Sequence, residues 1–138
     1  MTKTNKKRTG ILAAAGLILG LALIAGIMTC IRYKNYQTKV NELAFSDIGL
    51  DTLADGTYVG EYDADVIYAR VEVTIQNGRI SDLNILEHRN ERGEGAEAII
   101  TAIITEQRLD VDTVSSATNS SKVIRKAVEN ALSGSPGQ

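Results

Sequence analysis

The chain has 138 residues, with 15 Lys and Arg, 17 Asp and Glu, one histidine and one cysteine. This length allows a single domain with an appendage. A lone cysteine excludes a disulfide-stapled scaffold. With one histidine the chain also has no transition-metal ligand set at a recognisable spacing, so we expect no metal site.

The first predicted element is a membrane-spanning helix at residues 11–31. These 21 residues include no charged side chain and, as a helix, are long enough to cross about 30 Å of hydrocarbon. Four basic residues lie in the stub at residues 1–10. They predict a cytoplasmic N-terminus and an extracytoplasmic remainder, in a single-pass protein of the cell membrane. A cleaved signal peptide and a lipid-modified Cys30 are the alternatives to an uncleaved anchor.

Charge divides the chain into two parts. Residues 1–40 carry seven basic and no acidic side chains, whereas residues 41–138 carry eight Lys and Arg against seventeen Asp and Glu, a net charge of −9. An acidic exterior domain argues against a nucleic-acid partner, because phosphate neutralisation dominates that kind of binding. The lipid bilayer is the partner of the anchor, and the acidic part is either a binding module or the carrier of a site.

A small domain is predicted between a stalk and a short tail. The stalk at residues 32–54 mixes polar and apolar residues. The turn signal Asp55-Gly56 then opens a domain that extends over residues 55–133. Residues 134–138 are the tail.

Three antiparallel strands are predicted at the start of this domain, at residues 57–62, 68–76 and 79–87. The second strand alternates apolar and polar residues, which is the pattern of a half-buried strand. Asn77-Gly78 connects it to the third strand, and this dipeptide is the strongest short-range signal of a hairpin.

Two helices follow the strands. Apolar residues recur at helical spacing from Ala96 over about twelve residues, and again from Asn119 to Leu132. Residues 109–114 between them are either a short strand or an extended connection. The predicted fold class is therefore α+β, a small antiparallel sheet with two packed helices, preceded by one N-terminal transmembrane helix. A domain of this size gains stability from a tightly held cofactor.

The candidate site is the segment at residues 112–121, where six of ten side chains carry a hydroxyl and a helix follows directly. Free N–H groups and the positive end of a helix dipole favour an anion there, above all a phosphate. The same residues can also be a simple helix cap. A serine-hydrolase triad of Ser115, His88 and Asp112 is excluded, because no nucleophile-elbow pattern surrounds any serine.

A charged loop with two glycines follows the third strand and adds His88, Gly93 and Gly95 to the candidates. The histidine is either a packing or solvated residue, or a hydrogen-bond partner of a phosphate or of a polar ring edge. The glycines either begin a helix or let the backbone approach a flat ligand closely.

The motif D-T-V-S-S-A-T at residues 112–118 resembles the flavin-attachment signature of the FMN-binding domain family, D-x-x-[ST]-G-A-[TS]. Members of this family include the flavin subunits of sodium-pumping NADH:quinone reductases and of Rnf-type electron-transfer complexes. The Asp-Gly-Thr-Tyr start, the hairpin, the histidine-to-glycine loop and the closing helix occur over residues 55–132 in the family's order.

The resemblance implies that FMN is the cofactor, joined through its phosphate to the hydroxyl of Thr118 by a separate FAD:protein FMN transferase. It implies an electron carrier that works with a membrane electron donor or with the subunits of a redox complex, not a stand-alone enzyme with catalytic residues of its own. The predicted cofactor-binding residues are Asp112, Ser115, Ser116, Ala117, Thr118, Asn119, Ser120, His88, Gly93 and Gly95. The candidates for stacking on the isoalloxazine ring are Tyr58, Tyr62 and Tyr68.

Ser116 departs from the family signature, which has glycine at this position. If that glycine needs a positive φ, serine costs about 1 kcal/mol there. The departure either lowers the efficiency of modification or marks a member that holds FMN without a covalent bond. The alternatives to a covalent flavoprotein are thus a non-covalent FMN-binding module and a non-redox, acidic interaction module of the same fold.

Overall fold

The computed structural model describes residues 3–46, 48–89, 96–115 and 117–134. The chain divides into two compact units, residues 1–35 and 36–138. In chain order the helices and strands are α1 (Lys3–Asn41), β1 (Gly56–Asp63), β2 (Tyr68–Gln76), β3 (Arg79–Arg89), α2 (Ala96–Glu106) and α3 (Thr118–Ser133), and a 3-10 turn at Leu50–Thr52 precedes β1.

The first unit consists of the greater part of α1. The stretch Arg8–Asn41 is a helix that is long enough and apolar enough to cross a membrane. Its large apolar side chains are exposed, Leu12 for instance at 72%. The hydroxyl of Thr29 donates to the carbonyl oxygen of Ala25 at 2.8 Å, so this polar group is satisfied within the helix. The helix predicted at residues 11–31 is confirmed.

The second unit is built on a three-stranded antiparallel sheet in the order β1-β2-β3. The three predicted strands are confirmed, and β1 and β3 each extend slightly beyond their predicted ends. Asn77 and Gly78 have φ values of 52° and 71°. A type I′ turn requires positive φ at both central residues, and this dipeptide tolerates it, which is why the hairpin forms here.

One face of the sheet carries the core. In β2, Ala69, Val71, Val73 and Ile75 are fully buried and alternate with exposed or half-buried residues. α3 packs on this face across β1 and β2, and α2 packs beside β3. The structure is therefore the predicted α+β arrangement of an antiparallel sheet with two packed helices.

A β-bulge near the end of β3 decides which side chains face the helices. Val71 pairs with Ile85, and its neighbour Arg70 pairs with Glu87. Leu86, which lies between these two partners in β3, is therefore an extra residue. The extra residue reverses the alternation of side chains. His88, opposite Ala69, therefore lies on the helix-covered face of the sheet.

The chain between residue 35 and β1 packs against the rest of the second unit. Tyr36 and Val40, near the C-terminal end of α1, are 4% and 0% exposed and belong to the core. Further along, Ile48, Leu50 and Leu53 are partly buried against the same core. The apolar residues scattered through the predicted stalk are thus contacts with the domain.

The helices of the domain lie where their apolar pattern predicts. α3 begins at Thr118 and ends at Ser133, one residue beyond the predicted helix at each end. Residues 110–114, before α3, form neither helix nor strand, so of the two predicted alternatives the short strand is not formed there. Val111 is buried within this connection and ties it to the core.

Candidate functional site

The site predicted from the sequence lies where the connection at residues 110–114 meets α3. Ala117 is the N-cap of the helix, with φ −141° and ψ 37°; it makes no side-chain capping bond, and the first turn contains no acidic residue. Alanine is a poor N-cap, and the first N–H groups of a helix have no acceptor within it. The positive end of the α3 dipole is therefore open to an anion.

Thr118 is the first residue of α3, and its side chain is exposed. Its hydroxyl donates to the carbonyl oxygen of Val114 over 3.4 Å, a long hydrogen bond that a reacting hydroxyl gives up at low cost. Ser115 and Asp112 are also exposed. Three polar side chains of the motif are thus accessible on one stretch of surface, while Ser116 lies outside the described residues.

The polar residues after Thr118 are engaged within the protein. Nδ2 of Asn119 donates to the phenol oxygen of Tyr36 at 2.8 Å. Ser121 is fully buried, and its Oγ accepts a 3.4 Å hydrogen bond from a backbone N–H of the preceding connection. Ser120 is buried as well. Of the side-chain hydroxyls in this turn, that of Thr118 is therefore the one at the surface.

His88 lies on β3, on the sheet face that the helices cover, in a row with Ala69 and Tyr62. It is half-buried, and burial lowers the pKa of its imidazole below the ordinary value of 6.5, because desolvation disfavours the charged form. At neutral pH His88 is thus uncharged and has one N–H donor and one acceptor nitrogen.

The structure distributes the predicted residues over separate elements. Residues 112–120, apart from Ser116, surround the start of α3, whereas His88 belongs to β3. Gly93 and Gly95, predicted to let the backbone approach a ligand, lie outside the described residues. Their predicted role stays a prediction.

Two of the three tyrosines considered for stacking have their phenol groups engaged elsewhere. Tyr58 donates to a backbone carbonyl oxygen at 2.7 Å. Tyr68 donates to Oε2 of Glu61 at 2.7 Å, and this hydrogen bond raises the pKa of the phenol. Tyr62 shares a row with His88 and is the tyrosine with the best position for contact with a ligand at that histidine.

Arg125, a buried cation of α3, is not among the residues predicted from the sequence. Its side chain is 5% exposed, its Nη2 is 2.9 Å from Oδ1 of Asp110, and its guanidinium carbon is 3.9 Å from the centre of the Phe45 ring. Its Nε has no hydrogen-bond partner among the described residues. Arg125 thereby links the helix that begins at Thr118 to the connection in which the motif lies. The available signal was a charge among the inward-facing apolar positions of that helix.

A separate depression lies at the other end of the sheet. It has a volume of about 390 Å³ and is lined by residues 55–57 and 74–77, next to the β2–β3 hairpin. It shares no residue with the predicted site.

Comparison with known proteins finds a family match. The FMN-binding domain family matches residues 67–133, which include β2, β3, α2, α3 and every predicted site residue. An uncharacterized protein of Treponema pallidum (strain Nichols) is 32% identical to this chain over 83 residues. That alignment covers 58% of this chain and 23% of the relative, so the chain matches less than a quarter of that protein's length.

Proposed function

We propose that the protein is a membrane-anchored, extracytoplasmic flavoprotein whose FMN is linked through its phosphate to Thr118 and transfers electrons. The match of residues 67–133 to the FMN-binding domain family supports FMN as the cofactor. The observation that carries this proposal is the exposed Thr118 hydroxyl at the start of a helix whose N-terminus has no capping side chain. The flavin supplies the redox chemistry, and the protein supplies attachment, orientation and surroundings.

The proposed modification is a transfer of the FMN group from FAD by a FAD:protein FMN transferase. The Thr118 oxygen attacks the phosphorus of the FMN half of FAD, and the pyrophosphate bond breaks. AMP leaves, and the hydroxyl proton passes to a base on the transferase or to water. A divalent cation on the transferase side offsets the charge of the pyrophosphate.

The residues around Thr118 fit a phosphoester. The ester keeps a negative charge, and the start of α3 has an N-cap without a side-chain bond and a first turn without acidic residues. An anion at a helix N-terminus gains about 0.3–1 kcal/mol from the dipole. Asp112 and Ser115 are exposed and accessible to the transferase.

His88 is the proposed contact of this domain with the flavin or its phosphate. Because burial lowers its pKa, its imidazole stays neutral at physiological pH and adds no charge to the site. A neutral imidazole can donate one hydrogen bond to a polar ring edge and accept another. Gly93 and Gly95, which follow it in the chain, are proposed to let the backbone approach the ring.

The proposed location follows from the first unit of the chain. The apolar helix and the basic stub before it favour a single span with the N-terminus in the cytoplasm. The proposed partners are the lipid bilayer, a membrane electron donor or the subunits of a redox complex. A phosphatase that is active only outside the cytoplasm, fused to the C-terminus, tests this topology; an inactive fusion of normal abundance would contradict it.

Covalent attachment is tested by co-expression of the full chain with a FAD:protein FMN transferase, followed by denaturing electrophoresis. We expect a fluorescent band for the wild type and for Thr118→Ser, which keeps a hydroxyl, and none for Thr118→Ala. Thr113→Ala is the matched control, because it removes a hydroxyl at a variable position of the same motif. Fluorescence that survives in Thr118→Ala would contradict the assignment of the attachment residue.

A non-covalent FMN-binding module is the second candidate, and one observation favours it. Ser116 occupies the position at which the family signature has glycine. In this case the purified protein is yellow, but acid precipitation releases all of its flavin into the supernatant. A protein that stays colourless despite a supply of flavin and transferase would instead indicate the non-redox interaction module.

A further inference from the structure

Tyr36 links the C-terminal end of α1 to the start of α3. Its phenol oxygen is 2.8 Å from Nδ2 of Asn119, the residue directly after Thr118. Tyr36 is 4% exposed and Val40, one turn later, is 0% exposed, so this end of α1 is packed in the core of the domain. The hydrogen bond therefore connects the neighbour of the proposed attachment residue to a firmly packed element.

Few other side-chain hydrogen bonds hold the first turn of α3. In the part of the chain that the structure describes, the other side-chain hydrogen bonds of residues 117–121 both go to Val114 and are 3.4 Å long. Bonds of that length are weak, and Val114 belongs to the connection without helix or strand. Ala117 adds no capping bond, and helix ends fray. Among the described residues, the bond to Tyr36 is thus the shortest side-chain hydrogen bond of this turn.

We propose that Tyr36 is a positioning residue for flavin attachment, an inference that rests on the proposed role of Thr118. By holding Asn119, the phenol keeps the first turn of α3 wound and the Thr118 hydroxyl in one orientation toward the transferase. Without this bond the turn unwinds for part of the time, and the population competent for attachment falls accordingly. After attachment, the same bond keeps the phosphate beside the free N–H groups of the helix start.

The test compares two Tyr→Phe variants of the full chain. Tyr36→Phe removes the phenol oxygen and keeps the packed ring. Tyr33→Phe removes the same atom one turn earlier in α1, at a residue that is 57% exposed. Each variant is incubated with purified transferase, FAD and Mg²⁺, and the initial rate is measured as in-gel flavin fluorescence. We expect Tyr36→Phe to be slower by about fivefold, the factor for one ordinary hydrogen bond, and Tyr33→Phe to match the wild type.

A double-mutant cycle separates positioning from a general loss of structure. If Tyr36 acts through Asn119, the variant with both Tyr36→Phe and Asn119→Ala is no slower than the slower single variant. Amide hydrogen exchange then accelerates at Ser121, whose N–H donates to the Ala117 carbonyl oxygen, in Tyr36→Phe and stays unchanged in β2, which a global destabilisation would not produce.

Three results would overturn the inference. The first is attachment of flavin to Tyr36→Phe at the wild-type rate. The second is a double variant whose rate falls by the product of the factors measured for the two single variants. In both cases the wild type still carries flavin, so the proposed function stands. A wild type that takes up no flavin would overturn the proposed function and the inference together.

Discussion

Gly60 in β1 lies against the backbone of Ala131 in α3, so closely that a methyl group on its Cα would overlap the Ala131 nitrogen and a carbonyl oxygen of the same helix. The missing side chain at residue 60 thus sets how closely α3 approaches the sheet. Asn130, the residue before Ala131, donates to the backbone oxygen of Glu61 at 2.8 Å. These contacts hold the helix that presents Thr118 at its other end.

Gly60→Ala tests this close approach. We expect a loss of about 3 kcal/mol in the free energy of unfolding, because the added methyl group meets backbone atoms, which cannot rotate away. Val59→Ala is the control, since Val59 lies on the open face of the same strand at 48% exposure; it should cost about 0.5 kcal/mol. Urea unfolding of the flavin-free full chain in a mild detergent measures both. Equal losses of unfolding free energy in the two variants would mean that the close contact between α3 and the sheet contributes little to stability.

Gln107, just after α2, holds that helix to the start of β3 and yields a second prediction. Its side chain accepts from the N–H of Ile80 at 2.8 Å and donates to the Ile80 carbonyl at 2.9 Å. Its φ is 54°. Gln107→Ala should therefore cost about 2 kcal/mol through the lost hydrogen bonds. Gln107→Gly should cost about 1 kcal/mol less, because glycine tolerates positive φ.

The comparison of Gln107→Gly with Gln107→Ala in urea unfolding separates the hydrogen bonds from the backbone conformation. Glu106→Ala, at the preceding exposed position, is the control for any substitution at the end of α2. A lower free energy of unfolding for Gln107→Gly than for Gln107→Ala would contradict the backbone strain that the positive φ of residue 107 implies.

Local features of this fold could be predicted from the sequence because their physical causes lie within a few residues. Asn77-Gly78 predicts the hairpin since both residues tolerate positive φ, and the structure has positive values at both. The alternation in β2 predicts a buried face, and Ala69 and Val71 are buried on it. Likewise, helical spacing of apolar residues predicts α3 to within one residue at each end.

Contacts between distant parts of the chain could not be predicted in this way. Tyr36 and Asn119 are 83 residues apart, and nothing near Tyr36 distinguishes it from other residues of the predicted stalk. Gly60 has the pattern of an ordinary strand residue until α3 is placed against it. Similarly, the bulge that turns His88 toward the helices depends on the register between two strands. The alternation of apolar and polar residues within one strand does not predict that register.

The serine at residue 116 yields a prediction about the rate of attachment. Glycine is the residue of the family signature at this position, and glycine is favoured where the backbone adopts positive φ. If that conformation is needed for attachment, Ser116→Gly should raise the initial rate of flavin incorporation by about fivefold, the factor for about 1 kcal/mol of relieved strain. In-gel fluorescence over time measures the rate, with Ser133→Gly as the control at the far end of α3. A rate unchanged by Ser116→Gly would mean that serine suits the site.

Arg125 yields a prediction about a buried charge. Its carboxylate partner Asp110 has a side chain that is 92% exposed and stays hydrated without the arginine. Arg125→Met keeps a long chain against Phe45 and removes the buried charge, so it should change the free energy of unfolding by less than about 1 kcal/mol. Arg125→Ala should cost about 2 kcal/mol or more, because it also leaves a cavity. Equal losses for methionine and alanine in urea unfolding would indicate that the charge itself stabilises the domain.

His88 yields a prediction about pH. Because burial lowers its pKa below 6.5, the unfolded chain binds a proton at this residue over a pH range in which the folded protein does not. This difference is absent above about pH 7.5, where both forms are neutral, and grows as the pH falls through the unfolded pKa of about 6.5. His88 therefore makes the fold less stable as the pH drops from 7.5 toward 5.

His88→Gln, which cannot titrate, should lose less stability over that interval than the wild type, whatever constant offset the substitution adds. Thermal unfolding of both proteins at half-unit pH steps measures the two slopes. Parallel curves for His88→Gln and the wild type would show that the imidazole has the same proton affinity in the folded and unfolded chains.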